Sequence, residues 1–372
     1  MDNYNFVNDL FDKIKEENAK IIPANIMLIG KTGVGKSTLI NNIFRENLAE
    51  TGMGKPITQH LRRITKDGVP INLYDSRGLE LSEEIQNKVK EDINSEIDRM
   101  FNNKNMDADN LIHIVWYCIN SCSGRIEEFE IEWIKELSNK LPVIIVLTQS
   151  FTNNAKELEQ YIKNLNLNIK GIQRVLAEPI MTDYAEIPRN GLQELVEKTY
   201  EVLPEGIRLA FNNAQKVDIK RKCDEAAKWA VGYIGTSFGV GFTPIPFADS
   251  SILIPEQVGM LAHITSIFGV KIDKGLLTAI VSGVGGIAGA TIVGKTVVSN
   301  LLKFIPGAGT VLGGIISGTT ASVLTTALAF SYIEVMKKVT KNQYEGRSTT
   351  NAEISELMYN ELKKHFKGKD NK

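Results

Sequence analysis

The chain contains 372 residues, with 43 lysine and arginine residues against 44 aspartate and glutamate residues, and its formal net charge is −1. This length allows about two or three domains with sizeable cores, while a hydrophobic fraction of 43% excludes a wholly disordered chain. The near-neutral charge argues against a nucleic-acid partner, and three cysteines with no apolar N-terminal segment predict a cytoplasmic protein without disulfides or a secretory signal.

Strands and helices alternate along the first part of the chain. Short apolar stretches predict strands at residues 25–29, 70–74, 111–119, 143–148 and 174–177. Charged stretches with apolar residues on one face predict helices at residues 4–17, 39–47, 82–100, 126–137, 155–165 and 191–203, with a polar loop at residues 48–69. Strands that alternate with helices of about 10–15 residues indicate a parallel sheet covered on both faces, so we predict a doubly wound, mainly parallel α/β fold.

A complete phosphate-binding motif follows the first predicted strand. The segment GKTGVGKS begins at Gly30, ends at Ser37 and opens a predicted helix, which is the context that the pattern GxxxxGK followed by serine or threonine requires. Its glycines let the backbone wrap around an anion, Lys36 would bridge the β- and γ-phosphates, and Ser37 would ligate Mg²⁺. The residues that we assign to the nucleotide phosphates are Gly30, Lys31, Thr32, Gly33, Val34, Gly35, Lys36, Ser37 and Thr38.

A second motif closes the strand predicted at residues 70–74, where the segment INLYDSRG ends in the pattern DxxG. Asp75 would hold Mg²⁺ through a water molecule, and the amide of Gly78 would contact the γ-phosphate. Between the two motifs, Thr58 lies in the polar loop and can close on Mg²⁺ and the γ-phosphate, although Thr51 and Thr65 compete for this role. We therefore assign catalytic roles to Lys36, Thr58 and Gly78, and metal-ligating roles to Ser37, Thr58 and Asp75.

The order of phosphate loop, switch threonine and DxxG, with the closing segment GLQEL at residues 191–195, resembles the TRAFAC class of P-loop GTPases and its Era-like branch. This resemblance covers about residues 22–205 and implies a Ras-like P-loop fold, GTP and GDP as ligands with Mg²⁺, and GTP hydrolysis. The whole chain is similar to bacterial GTPases with a C-terminal helical domain of unknown function, through VWYCIN at residues 115–120, TPIPFAD at 243–249 and IPGAGT at 305–310. Its layout bears a looser resemblance to the immunity-related GTPases.

The sequence departs from this family at the position that reads guanine. The resemblance predicts NKxD or TKxD at the end of the strand at residues 143–148, but the chain reads TQSF and places Phe151 where the aspartate is expected. Losing this carboxylate would remove much of the discrimination between bases, since specificity depends on hydrogen bonds that only the correct base satisfies. The resemblance favours GTP, ATP stays open, and Glu178 is a candidate replacement carboxylate. The residues that the resemblance assigns to the base are Thr148, Gln149 and Ala177.

The residue after DxxG is Leu79, which cannot orient the attacking water as a glutamine does. We therefore predict slow intrinsic hydrolysis, which a partner or a homodimer formed through the GTPase domain would accelerate. The cations considered for stabilising the transition state are Lys31, Arg62, Arg63 and Arg77. No metal other than Mg²⁺ is predicted, because the cysteines and histidines do not have ligand spacing.

The C-terminal half differs in composition and allows two interpretations. Residues 275–294 and 304–333 carry no charge, and small residues recur at intervals of four, as they do in closely packed or membrane helices. Both blocks are long enough to span a bilayer. Against insertion, the first block is rich in glycine, and Lys295 and Lys303 would lie on the far side of the membrane. Residues 226–338 are therefore either a compact soluble or peripheral helical domain or a membrane-inserted one.

We predict four segments in the chain. They are an N-terminal amphipathic helix at residues 1–21, a GTPase domain at 22–205, a glycine-rich all-α domain at 206–340, and a polar tail with a short helix at 341–372. The main hypothesis is a slow regulatory switch, in which the γ-phosphate orders the switch loops and the helical domain contacts a membrane or a partner. Two alternatives stay open: a nucleotide-binding scaffold with little turnover, and a dynamin-like membrane-remodelling GTPase. The predicted location is cytoplasmic, with peripheral or integral attachment at the inner face of the membrane as the alternative.

Overall fold

The computed structural model describes residues 6–77, 79, 82–102, 110–240, 245–246, 250–285, 315–316 and 318–367. Its contacts divide the chain into two compact units, of which one is Ile21–Asp218 and the other combines Met1–Lys20 with Ile219–Lys372. The first unit contains a large sheet, and the second is mainly helical. The domain limits stay predictions, and residues 206–218 lie in the unit that contains the large sheet.

Seven strands form the sheet of the first unit. They are β1 (Ala24–Ile29), β2 (Met53–Pro56), β3 (Leu61–Lys66), β4 (Val69–Ser76), β5 (Ile114–Asn120), β6 (Val143–Thr148) and β7 (Gly171–Arg174). In the spatial order β2-β3-β4-β1-β5-β6-β7, the strands from β4 to β7 run parallel, while β3 pairs antiparallel with β2 and β4. The predicted doubly wound, mainly parallel α/β fold is therefore confirmed.

Helices cover both faces of this sheet. After α1 (Phe6–Ala19), which belongs to the second unit, they are α2 (Lys36–Ile43), α3 (Leu48–Thr51), α4 (Glu83–Asn102), α5 (Glu128–Lys140), α6 (Asn154–Asn164), α7 (Leu192–Val202) and α8 (Glu205–Ala214). Ile26 and Leu28 of β1 lie in a hydrophobic cluster with α2, α7 and α8, whereas Met27 and Ile29 lie in a cluster with α4, α5 and α6. A strand buried on both faces needs apolar residues at every position, which explains the continuous apolar runs in the sequence.

The polar loop predicted at residues 48–69 is wrong, because this segment contains α3 and the strands β2 and β3. β2 is exposed at every position, and β3 buries only Leu61 and Ile64. A strand at the edge of a sheet has little apolar alternation, so its hydrogen bonds to the neighbouring strand decide its conformation. A second hairpin, of β8 (Ile180–Met181) and β9 (Glu186–Ile187), is also absent from the elements predicted from the sequence.

The second unit combines α1 with later helices. Those that the structure describes are α9 (Ile219–Val240), α10 (Ser250–Phe268), α11 (Lys274–Gly285), α12 (Gly318–Tyr344) and α13 (Asn351–Lys367). α12 packs against α9, α1 packs against α10, and α11 packs against α13. The predicted apolar face of α1 is buried at Val7, Leu10 and Ile14. Thr265 of α10 and Tyr332 of α12 share a buried hydrogen bond of 2.6 Å, which joins two of these helices inside the unit.

Part of the glycine-rich region lies outside the described residues. This part includes residues 286–314, which hold most of the small residues spaced by four, and residues 243–244 and 247–249 of the TPIPFAD segment. Between these gaps, β10 (Ile245–Pro246) and β11 (Ile315–Ile316) pair antiparallel. Among the helices within the described ranges, none combines the length and the hydropathy needed to cross a bilayer.

Candidate nucleotide-binding site

The predicted motifs meet at the carboxyl ends of the parallel strands. The phosphate loop follows β1, Asp75 lies near the end of β4, and Thr148 ends β6. The strand order reverses at β1, which lies between β4 and β5. Open α/β sheets bind ligands at this kind of switch point, because the loops that leave the neighbouring strands part there and open a crevice.

The backbone of the phosphate loop surrounds the ammonium group of a lysine. Gly30 has a φ of 153°, and a Cβ there would clash with the carbonyl oxygen of Cys118 on β5. Lys36 Nζ donates to the carbonyl oxygens of Gly30 and Lys31, at 2.5 and 3.0 Å. α2 begins at Lys36, directly after Gly35 with its φ of 97°, so the amides of its first turn have no partner inside the helix. Such amides, together with a lysine, are the donors that a phosphate group needs.

Thr148 connects the phosphate loop to the neighbouring strands. Its buried hydroxyl oxygen lies 2.5 Å from the carbonyl oxygen of Val34 and 3.1 Å from that of Ile119, so one proton is shared between two acceptors. Ser121, in the 3-10 turn after β5, donates to the carbonyl oxygen of Thr148 at 2.8 Å. These bonds hold the end of β6 against the loop, because each joins segments that are distant in the chain.

A pocket of about 240 Å³ opens beside the phosphate loop. It is lined by Gly35, Thr38, Leu39, Thr148, Gln149, Val175, Leu176, Ala177, Glu178, Pro179 and Ile180. Thr148, Gln149 and Ala177, which the resemblance assigns to the base, therefore lie in one pocket with residues of the loop. The motifs do not predict Leu39 or Val175, since neither belongs to a recognisable pattern and only the fold brings them to the pocket.

Glu178 has the single carboxylate among the residues that line the pocket. Its carboxylate accepts a hydrogen bond from Asn42 Nδ2 at 3.1 Å. Phe151 is not one of the lining residues, and its side chain is 39% exposed. Gln149 has a φ of 52°, and its amide oxygen accepts from Asn120 Nδ2 at 3.3 Å. The role of Glu178 in reading the base stays a prediction.

Asp75 is buried at the end of β4 and forms an ion pair with Arg62 of β3. Arg62 Nε and Nη2 lie 3.1 and 3.0 Å from Asp75 Oδ2. Asp75 Oδ1 is buried and has no hydrogen-bond partner among the described residues. A buried polar oxygen without a partner is unusual, and Mg²⁺ favours carboxylate oxygens and ordered water, so this oxygen fits the predicted magnesium site. Ser37, another predicted ligand, is exposed in the first turn of α2.

The switch residues lie in different surroundings. Thr58 is in the turn between β2 and β3, where its amide donates to the carbonyl oxygen of Leu61 at 3.1 Å and its hydroxyl oxygen accepts from the amide of His60 at 3.2 Å. Gly78 lies outside the described residues. Leu79 is 3% exposed and packs in a hydrophobic cluster of the sheet unit. The contacts of Thr58 and Gly78 with metal and phosphate therefore stay predictions.

Besides Arg62, two more of the cations considered for stabilising the transition state already contact other side chains. They are Lys31 and Arg63. Lys31 forms an ion pair with Glu127 at the start of α5. Arg63 lies over the ring of Tyr74, with 5.9 Å between the guanidinium carbon and the ring centroid. Beside the loop, burial raises the pKa of Cys118 to about 12, so its thiol stays neutral near physiological pH.

Residues 25–149 match the family model described as 50S ribosome-binding GTPase. The chain is similar to the tRNA modification GTPase MnmE of Treponema denticola, with 25% identity over 271 residues that cover 70% of this chain and 52% of that protein. It is also similar to Septin-9 of Mus musculus, with 24% identity over 234 residues that cover 55% of this chain and 38% of that protein. The chain thus spans about half of the length of these curated relatives, or less. Among solved structures, a chain described as "a probable GTP-binding protein engB" matches with 17% identity and a TM-score of 0.33, over 50% of this chain and 99% of that chain.

Proposed function

We propose that the region that matches the GTPase family model, residues 25–149, belongs to a P-loop GTPase domain of the TRAFAC class, and that this domain binds GTP and GDP and hydrolyses GTP to GDP and phosphate with Mg²⁺. The observation that carries the proposal is the phosphate loop. Two of its carbonyl oxygens accept hydrogen bonds from Lys36 Nζ, the first amides of α2 have no partner inside the helix, and the pocket of about 240 Å³ lies directly beside it. This arrangement supports a nucleotide whose phosphate groups and base would occupy adjoining parts of one crevice.

Each group of the chain acts on a different part of the nucleotide. The amides of the loop bind phosphate oxygens, and Lys36 exchanges its carbonyl partners for oxygens of the β- and γ-phosphates. Ser37 would hold the metal directly and Asp75 would hold it through water, while Thr58 and the amide of Gly78 would close on the γ-phosphate. Bound Mg²⁺ supplies neutralisation of the negative charge on the phosphate oxygens.

Hydrolysis by the isolated chain is slow in this proposal, because the residue after DxxG cannot orient the attacking water. Leu79 is buried in the core, and the cations Lys31 and Arg62 hold carboxylates. We expect a turnover below about 1 s⁻¹, as in small GTPases without an arginine finger. A homodimer formed through the GTPase domain would supply a group that orients the attacking water or a cation that stabilises the transition state. Turnover per molecule would then rise with protein concentration.

The test is the binding of fluorescent N-methylanthraniloyl (mant) GTP and ATP, with Mg²⁺, to the wild type, Lys36→Ala and Lys156→Ala. Lys156 is exposed on α6, so its replacement removes the same charge without touching the loop. We expect mant-GTP to bind more tightly than mant-ATP, and Lys36→Ala to lose about 100-fold in affinity while Lys156→Ala keeps it. A wild type that binds neither nucleotide, or a Lys36→Ala variant that binds as well as the wild type, would contradict the proposal.

A second candidate is a nucleoside triphosphatase without preference for guanine. The observation that favours it is Phe151, which stands where the family has an aspartate and does not line the pocket. Without that carboxylate, the N1 and N2 hydrogens of guanine lack the acceptor that the family provides. Equal affinities for mant-GTP and mant-ATP in the same titration would establish this candidate and remove GTP specificity.

We further propose that the protein works as a regulatory switch whose helical region contacts a membrane surface or a protein partner. What supports this is the presence in one chain of switch elements and of an uncharged block at residues 275–294. Turnover measured over a range of protein concentrations, with and without liposomes, separates the alternatives. Steep acceleration by liposomes would favour membrane remodelling, whereas bound nucleotide that never turns over would favour a scaffold.

A further inference from the structure

Arg62 holds the carboxylate that the proposed function assigns to Mg²⁺. The two residues face each other across the antiparallel pair of β3 and β4, with Arg62 Nε and Nη2 at 3.1 and 3.0 Å from Asp75 Oδ2. The side chain of Asp75 is 10% exposed, whereas that of Arg62 is 28% exposed. The carboxylate is therefore held inside the sheet unit, while the Arg62 side chain is partly exposed to solvent.

The ion pair uses one of the two carboxylate oxygens. Asp75 Oδ1 is buried and has no hydrogen-bond partner among the residues that the structure describes. A buried carboxylate needs both a compensating positive charge and hydrogen-bond donors. Arg62 supplies the charge and binds one oxygen, and the second oxygen is left for a donor such as a metal-bound water. In the proposed site, Arg62 and a divalent cation would therefore share one carboxylate.

We infer that Arg62 is the counter-cation of Asp75 in the magnesium-free protein and that its charge weakens the binding of Mg²⁺ at this site. The inference rests on the proposed nucleotide and metal site. Two cations beside one carboxylate repel each other, so each lowers the affinity of the other. Even at an effective dielectric constant of about 20, a unit charge within about 6 Å of a dication changes the interaction energy by several times RT.

The next residue of β3 offers a matched control. Arg63 is in register with Tyr74 and lies over its ring, so it is on the opposite face of the sheet from Arg62. Arg62→Gln and Arg63→Gln remove the same charge from neighbouring positions, yet only the first takes it from Asp75. Glutamine keeps one donor near the carboxylate, which limits the destabilisation by an unpaired buried charge. Arg62→Lys, in contrast, keeps the charge and changes the shape.

The experiment measures the rate of mant-GDP release from the full-length protein over a range of Mg²⁺ concentrations, with EDTA as the zero point. Bound Mg²⁺ slows release, so the midpoint of the titration reports metal affinity without any hydrolysis. We expect the midpoint of Arg62→Gln to fall to about one tenth of the wild-type value or lower. Arg63→Gln and Arg62→Lys should stay within about threefold of the wild type, since neither removes the charge at Asp75.

The following results would each overturn the inference. An unchanged midpoint in Arg62→Gln would mean that Arg62 does not govern the metal site, and a higher one would mean that Arg62 instead orients Asp75 for the metal. An equal fall in Arg63→Gln would assign the effect to general surface charge. A wild type that binds mant-GDP with no Mg²⁺ dependence contradicts the metal site, whereas a wild type that does not bind mant-GDP contradicts the proposed function itself.

A second variant covers the case in which Arg62→Gln does not fold, as judged by its thermal unfolding in EDTA. Arg62→Met removes the charge and keeps much of the length of the side chain, so the apolar packing of its stem is largely retained. Its midpoint should also fall to about one tenth of the wild-type value or lower. A midpoint within about threefold of the wild type would overturn the inference.

Discussion

The proposed phosphate end and the proposed base end of the candidate site consist of different kinds of groups. At the phosphate end, backbone amides, backbone carbonyls and Lys36 form the cradle, and a Cβ at Gly30 would clash with the next strand. At the base end, side chains that follow β6 and β7 line the pocket, and Phe151 stands outside it. The two ends meet at Thr148, whose hydroxyl reaches a carbonyl oxygen of the loop.

Because of this difference, we expect that a substitution can change the selection of the base without changing the binding of phosphate, and the reverse. A backbone cradle depends on a few glycines and on the start of a helix, so it survives changes in the surrounding side chains. Base selection depends on one or two hydrogen-bonding side chains, so a single replacement can remove it. Substitutions at the two ends should therefore separate the integrity of the loop from the choice of base.

The largest effect is expected from Gly30→Ala at the phosphate end. The added Cβ would clash with the carbonyl oxygen of Cys118, and the φ of 153° is unfavourable for alanine. We expect the free energy of unfolding to fall by about 3 kcal/mol and mant-GDP binding to be lost. Gly33→Ala is the control, because Gly33 has a φ of 79° but nothing within 4 Å of the added Cβ, and should cost about 1 kcal/mol. Equal losses in denaturant unfolding of the two variants would contradict the role of the clash.

Thr148→Val tests the connection between the two ends. Valine keeps the shape of the threonine side chain but removes the hydroxyl that donates to the carbonyl oxygens of Val34 and Ile119. We expect a loss of about 1–2 kcal/mol in the free energy of unfolding, since two buried acceptors are left without that donor. Thr152→Val, at an exposed position, should change it by less than about 0.5 kcal/mol. If both variants unfold at the same denaturant concentration as the wild type, the hydroxyl does not join the two ends.

Phe151→Asp tests whether the base end lacks only a carboxylate. The side chain of Phe151 is 39% exposed, so its replacement costs little packing. We expect the ratio of mant-GDP to mant-ADP affinity to rise by about tenfold, because an aspartate accepts hydrogen bonds from guanine that adenine cannot donate. Phe151→Asn is the matched variant without the charge and should leave the ratio near the wild-type value. A ratio unmoved by the aspartate would show that another part of the pocket sets the base preference.

The smallest effect is expected from Glu178→Gln. The carboxylate is exposed and accepts a hydrogen bond from Asn42, and such a surface contact contributes little. We expect mant-GDP affinity to change by less than about threefold. A loss of tenfold or more, together with new affinity for xanthine nucleotides, would instead identify Glu178 as the carboxylate that reads the base. Glu186→Gln, at an exposed position on β9, controls for the change in surface charge.

The parts of the site that the sequence predicts are those built from contiguous residues. The eight residues from Gly30 to Ser37 contain both the loop and the start of its helix, so their spacing alone indicates a phosphate cradle. The edge strands β2 and β3 are different, because pairing with β4 holds them and apolar alternation does not. The same holds for Leu39 and Val175, which line the pocket without belonging to any motif.

The sequence by itself determined the α/β class, the phosphate loop and the DxxG strand, because hydrophobic periodicity and glycine spacing act over short stretches of chain. Only the tertiary structure decided that Arg62 meets Asp75 while Arg63 meets Tyr74, since that choice depends on the register between two strands. It also decided that Leu79 is buried and that Phe151 lies outside the pocket lining. These outcomes depend on packing between segments that are distant in the chain, which no local pattern encodes.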